Sequence, residues 1–247
     1  MIYEPLRSAQ FVVRELLLKA DKHNVSLVIG VPKENQKVEK RLAITPETTT
    51  LLVESGYQVV IESKAGLAIN YSDRYYSESG ARIADSKADV FQADIILKIS
   101  PPTYEEVAMM KPRSSVFSFL YLHLISSETL ELMAEKRINA LAYELIHDDN
   151  WVSPFVTAIS EIEGACSISI ASELLSSAHG GKGILLGGVP GISPTEVVII
   201  GAGVAGTVAA RAALALGAAV KVFDNDINNL RKIQHELGRT VFTSTLQ

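Results

Sequence analysis

The sequence predicts an α/β protein of two domains, and three observations carry that prediction. Apolar runs of strand length alternate with helical patterns along the chain. The runs are apolar at consecutive positions, as in strands covered on both faces, which implies a parallel sheet with right-handed crossovers. Beyond Asn150 a long helical pattern, a glycine-rich stretch and a β-α-β segment begin a second unit. The expected domains are residues 1–150 and 151–247.

Taken in order, Glu4, Arg7, Arg14 and Glu15 among Leu6, Phe11, Val12, Leu16 and Leu17 predict an amphipathic first helix without a signal-peptide cleavage site. Strands are expected at Ser26–Val31, Gln58–Ile61, Ala93–Ile99, Ser115–Leu120 and Ile138–Tyr143. Helices are expected from about Pro46, Asp73, Thr103 and Ser127, several entered by a Thr, Ser or Asp able to cap free N–H groups. Thr157–Ala178, with Ile159, Ile162, Ala165, Cys166, Ile170 and Leu174 among many small residues, predicts a long helix packed tightly between elements, with Cys166 in the packing. Gly180–Gly191 is too rich in glycine for regular structure. The last elements are strands Glu196–Ile200, Ala219–Phe223 and Thr240–Thr245, with helices running to about Leu216 and from Ile227.

Composition narrows the function classes. Hydrophobic residues at 47% and charged residues at 21% exclude a disordered chain, and a net charge of -5 argues against a general nucleic-acid binder. The single cysteine excludes an internal disulfide framework and fits a reducing cytoplasm. Mean hydropathy is +0.20, yet runs such as Ser115–Leu124 and Glu196–Ile200 fall short of the roughly 20 residues a spanning helix needs. A soluble cytoplasmic protein with no membrane or nucleic-acid partner is expected.

The most specific local signal is Gly201-Ala202-Gly203-Val204-Ala205-Gly206. It follows Val197–Ile200, opens an alanine-rich helix, and is followed by a strand ending in Asp224, the full context of a dinucleotide-binding Rossmann turn. Gly201 allows the tight turn, Gly203 lets a pyrophosphate approach the backbone, and Gly206 lets helix and strand pack closely. The N–H groups at Val204 and Ala205 open the helix toward the phosphate. Asp224 can accept from ribose hydroxyls and repel a 2′-phosphate, which favours NAD over NADP. The competing reading is a glycine turn that merely packs a helix on a sheet. Asn228 and Asn229 either reach the ribose or are solvated residues of a helix start.

Gly30-Val31-Pro32-Lys33-Glu34 followed by Glu39, Arg41 and Leu42 through Pro46 resembles the N-terminal signature shared by alanine dehydrogenases and the NAD-binding subunit of proton-translocating transhydrogenases. The likeness continues in order through Ile96-Leu97-Lys98, Leu122-His123-Leu124, Ala142-Tyr143-Glu144, Ser160-Glu161 and Gly187–Gly191 to the glycine turn. The Leu-His-Leu segment favours alanine dehydrogenase within that pair. The resemblance implies reversible, NAD-dependent oxidative deamination of L-alanine to pyruvate and ammonium, with Arg41 and Lys98 binding pyruvate and His123 as acid/base. Arg41 supplies a bidentate anion clamp and Lys98 a point charge. His123 titrates near neutrality. Their alternatives are a surface arginine for Arg41 and a satisfied core histidine for His123.

The resemblance also implies a cofactor contact at Ser160, whose alternative is a helix cap, and a homo-oligomer, hexameric in the full-length family. Glu144 matches a position that contributes to a metal site in some relatives, and no metal is assigned. Family members continue past Gln247 with the second half of the dinucleotide fold and an active-site Asp. The chain is therefore expected to be C-terminally incomplete and inactive alone. The alternatives are the NAD-binding component of a transhydrogenase, which would need a membrane partner, and a truncated non-catalytic product.

Overall fold

A computed structural model describes residues 26–246, so the helix expected around Glu4–Leu17 lies outside the described residues. The chain divides into two compact units, residues 1–141 and 142–247. The fold is α/β, with parallel pairing in both sheets.

The first sheet holds β1 (Val28–Val31), β2 (Gln58–Glu62), β3 (Arg82–Ala84), β4 (Ile95–Leu97), β5 (Ser115–Ser118) and β6 (Asn139–Ala142), in the spatial order β3-β2-β1-β4-β5-β6. The chain begins at the centre, steps outward through β2 and β3, and returns to the other side of β1 with β4. Ile29 is level with Val59 on one side and with Ile95 on the other. Strand order therefore reverses between β1 and β4, and an open α/β sheet leaves a crevice beyond the carboxyl ends at such a reversal.

Five helices connect these strands: α1 (Pro46–Glu54), α2 (Asp73–Glu78), α3 (Lys87–Phe91), α4 (Tyr104–Met109) and α5 (Ser127–Glu135). Their starts follow from local chemistry. Thr45 caps α1 through the Thr48 N–H ahead of Pro46, and Ser126 caps α5 through the Thr129 N–H. Thr103 and Glu106 form a reciprocal capping box on α4. One core cluster gathers Phe91, Ile96, Val107, Met110, Val116 and Met133, and another Val31, Ile61 and Tyr76. Burying each side chain of this size stabilises by about 1.5–3 kcal/mol. The Tyr76 hydroxyl is satisfied by donating to the Ile44 carbonyl at 3.1 Å, and burial pushes its pKa up to about 12.

Five strands were expected here and six are present. β3 spans three residues, too few for a periodic pattern, and α3, which follows it, spans only 5. The strand expected from Ala93 begins at Ile95, because the Ala93 N–H still bonds the Val90 carbonyl in the turn that closes α3.

In the second unit β7 (Glu196–Ile200), β8 (Ala219–Phe223) and β9 (Val241–Ser244) pair in that order. They are linked by α7 (Val204–Ala215) and α8 (Ile227–Leu237) and preceded by α6 (Pro154–Leu175). Val220, Val222 and Val241 are sealed with Ala210, Ala213, Leu230 and Ile233 into one core. The opposite face of the sheet is open, with Val198, Ile200 and Phe242 exposed by 53%, 73% and 62%.

The expectation that the long helix is packed tightly between elements needs correction. Only Gly164 and Ile168 of α6 are buried, and Ile162, Ile170, Leu174 and Cys166 are exposed. By length and composition α6 is also apolar enough to cross a membrane, which the sequence reading did not anticipate. It carries Glu161, Glu163 and Glu173, and one side of it lies against α7.

Gly30 shows how closely the layers approach in the first unit. A Cβ there would lie 2.4 Å from the Val90 carbonyl oxygen and 2.9 Å from the Ala93 Cβ. Gly30→Ala is expected to cost about 1–3 kcal/mol through overpacking. Urea unfolding followed by circular dichroism measures this, and unchanged stability would mean that α3 does not rest on β1.

Candidate functional site

The crevice at the strand reversal is built by the segments that leave β1 and β4. Lys33, Glu34 and Asn35 follow β1, and Lys98, Ser100, Pro101 and Thr103 follow β4. With Glu62, Lys87 and Glu106 they line a cleft of about 400 Å³. Lys98 is buried, 3% exposed, and its ammonium donates to Glu106 Oε2 at 2.7 Å and to the Pro101 carbonyl at 3.3 Å. Glu34 Oε2 stands 3.9 Å away, while its Oε1 accepts from the Ile99 and Ser100 N–H groups. Glu106 is also buried, and its Oε1 accepts from Lys87 at 2.7 Å.

Burial by itself would raise the Glu106 pKa. The Lys98 charge, the hydrogen bonds from Lys87 and Lys98, and the Thr103 N–H together hold it below the usual carboxylate value. The Lys98 and Lys87 ammoniums thus balance the Glu34 and Glu106 carboxylates, with Lys98, Glu34 and Glu106 buried and Lys87 half-buried, the arrangement that buried charge requires.

Arg41 and His123 are not among the residues lining that cleft. Arg41 is exposed, and its guanidinium grips Glu39 at two points, Nε to Oε1 at 2.9 Å and Nη2 to Oε2 at 2.7 Å. That bond lowers the Glu39 pKa. His123 lies on the 3₁₀ turn Leu122–Leu124, which starts at Tyr121 in the left-handed region with φ 41°. The imidazole is exposed beside the Tyr121 ring, centroids 6.2 Å apart, so the core-histidine alternative is excluded.

The glycine turn lies between β7 and α7 as its spacing predicts. Gly201 has φ +108°, and a Cβ on either Gly201 or Gly203 would meet open space. Gly203 caps α7 with extended backbone and no side-chain hydrogen bond, so the helix N–H groups face outward uncovered by a capping residue. At Gly206 a Cβ would fall 1.8 Å from the Gly201 carbonyl oxygen, which requires glycine.

Ser160, Glu163, Gly201, Gly203, Val204, Ala205 and Gly206 border one cleft of about 520 Å³. Ser160 is in the second turn of α6, whose cap is Ser153, so the cap alternative for Ser160 is excluded. A second cleft on the other side of the turn includes Asn229 with Ala202, Gly203 and Val204.

Asp224 directly follows β8 and lies next to this turn. Its Oδ2 accepts from the Ala202 N–H at 2.6 Å and its Oδ1 from the Asp226 N–H at 2.7 Å. These backbone bonds, with help from the Asn229 side chain, lower its pKa.

The sequence reading missed Glu106, Lys87 and Gly164. The Thr103-x-x-Glu106 spacing signals a cap, but nothing local signals the ion pairs. A Cβ on Gly164 would lie 2.4 Å from the Ala205 carbonyl oxygen, so this glycine lets α6 touch the start of α7.

Comparison with known proteins follows the same division. The family described as alanine dehydrogenase/PNT matches through its N-terminal domain at residues 30–162 and through its C-terminal domain at residues 167–247. The alanine dehydrogenase of Staphylococcus saprophyticus is 39% identical over 84% of this chain and 56% of its own length. A solved L-alanine dehydrogenase superposes with a TM-score of 0.79 and 34% identity over 90% of this chain and 61% of that one. A transhydrogenase from Sinorhizobium meliloti shares the fold, with a TM-score of 0.72 and 24% identity over 87% of this chain and 61% of its own. The chain thus spans less than two thirds of the length of these relatives.

The lowered Glu106 pKa fixes a sign for acid stability. Its contribution is complete above the ordinary value of 4.5 and is lost as pH falls through the lower folded value. Glu106→Gln should flatten the loss of urea stability between about pH 5 and pH 3 and cost about 3 kcal/mol at neutral pH. An acid limb identical to that of the unmutated chain would remove Glu106 from the account.

Proposed function

The chain belongs to the alanine dehydrogenase/PNT family, and from that membership we propose that it carries the substrate-binding and phosphate-binding parts of an NAD-dependent alanine dehydrogenase. The reaction is the reversible oxidative deamination of L-alanine to pyruvate and ammonium, in the cytoplasm and in a homo-oligomer. Lys98 is the observation that carries this reading. It is a buried lysine at the strand reversal, and its two hydrogen bonds, to Glu106 and Pro101, leave the third ammonium proton for an anion in the cleft.

Each remaining residue has a task that its surroundings support. Arg41 holds a carboxylate at two points in its pair with Glu39, and a substrate carboxylate would take the same fork in exchange. His123 is exposed on its 3₁₀ turn, where an imidazole nitrogen can take up and return the substrate's proton. The open space at Gly201 and Gly203 and the uncapped start of α7 fit a pyrophosphate, and Ser160 borders the same cleft. Asp224 and Asn229 suit the ribose hydroxyls, and the charge of Asp224 opposes a 2′-phosphate. Bound NAD would supply the hydride acceptor.

The proposal is tested by binding. Pyruvate titrated calorimetrically into the chain should saturate a single site, and Lys98→Gln should abolish it. Arg41→Lys should weaken pyruvate roughly tenfold, because a fork becomes a single contact. Absence of saturable binding overturns the substrate assignment, and equal affinity in Arg41→Lys removes the clamp. The cofactor assignment predicts tighter binding of NAD than of NADP, and Asp224→Ala should erase most of that difference. Equal affinities in the unmutated chain would overturn it.

A further inference from the structure

Glu106 holds the crevice together more than Lys98 does. Its Oε2 accepts from Lys98 at 2.7 Å and from the Thr103 N–H at 3.0 Å, and its Oε1 accepts from Lys87 at 2.7 Å. Its own N–H donates to Thr103 Oγ1 at 3.3 Å. The carboxylate is therefore fixed by the backbone of the α4 cap as well as by two side chains. Lys98, by contrast, is a flexible four-carbon stem, and its ammonium is placed only by what it meets.

Glu34 stands too far away, at 3.9 Å, to hold the ammonium by a hydrogen bond, and its Oε1 is committed to Ile99 and Ser100. The other charged groups facing the cleft are Lys33 and Glu62, which meet each other through the Lys33 N–H and Glu62 Oε2.

We infer that Glu106 is the positioning residue for Lys98: anchored by the α4 cap, it fixes the ammonium so that its remaining proton points at the substrate carboxylate. The inference rests on the reading that Lys98 binds pyruvate. A group acting only through its charge would do the opposite, since a carboxylate beside an anion site weakens anion binding and its removal tightens it. Positioning and charge therefore predict opposite signs for the same variant.

The test combines two measurements on the full chain. Pyruvate affinity is measured by calorimetry, and the reactivity of Lys98 by trace acetylation with acetic anhydride and peptide mass spectrometry at neutral pH. Glu106→Gln should weaken pyruvate about tenfold and speed Lys98 acetylation about tenfold, the scale of one charge-assisted hydrogen bond. Lys111, paired with Asp94 in the same unit, should react at its original rate.

Glu106→Asp keeps the charge but withdraws it by one methylene, so it should weaken pyruvate in the same direction. It carries the test if Glu106→Gln unfolds, as faster acetylation of Lys111 would reveal. Unchanged or tighter pyruvate binding with unchanged Lys98 acetylation in a folded variant overturns the inference. Pyruvate binding that is lost in Lys98→Gln yet intact in both Glu106 variants overturns the inference alone. Pyruvate binding equal in Lys98→Gln and the unmutated chain overturns the substrate reading and the inference with it.

Discussion

The ion pair between Lys98 and Glu106 is the constraint around which the first unit is arranged. An ammonium with 3% exposure is tolerable only beside a carboxylate, and a buried carboxylate in turn needs donors on its remaining lone pairs. Those donors come from Lys87 at the start of α3 and from the Thr103 N–H at the start of α4. Glu34, beyond β1, secures the peptide after Lys98 through Ile99 and Ser100. The segments after β1 and β4 and the starts of α3 and α4 are thus tied where the strand order reverses.

The second unit depends on contact between backbones. Gly206 allows the helix start to lie on the turn that precedes it, and Gly164 allows α6 to lie on that helix start. Three segments therefore meet at glycines, and the cleft beside them is bordered by the turn together with Ser160, Glu163 and Ile200. Asp224 reinforces the turn from the neighbouring strand by accepting the Ala202 N–H. The carboxylate proposed for a ribose is at the same time a brace for the glycine turn.

What could be read from the sequence was local or long. The glycine turn, its flanking strands and Asp224 fall within 30 residues, and each has a distinctive residue requirement, so their arrangement was legible. The strands of the first sheet were legible as apolar runs, except β3, whose three residues give no pattern. Lys98 could be picked out as a charge ending an apolar strand, but its partners could not. The adjacency of β1 and β4 follows from strand order, which no local window contains, and Glu106 announces itself only as a cap. Cys166 and its apolar neighbours on α6 misled because small and apolar residues read as buried, whereas only one narrow side of that helix is covered.

The three-stranded sheet divides its residues into two classes by the face they occupy. Val197, Ile199, Val220, Val222 and Val241 project into the helices, and any change in their volume is felt by the core. Val198, Lys221 and Phe242 stand level with one another on the other face, where they meet no such core. A strand alternates between these faces residue by residue, so neighbours in one strand have unlike surroundings. A change of size in the first set is resisted by the helix core, whereas the second set presents its side chains as surface among the described residues.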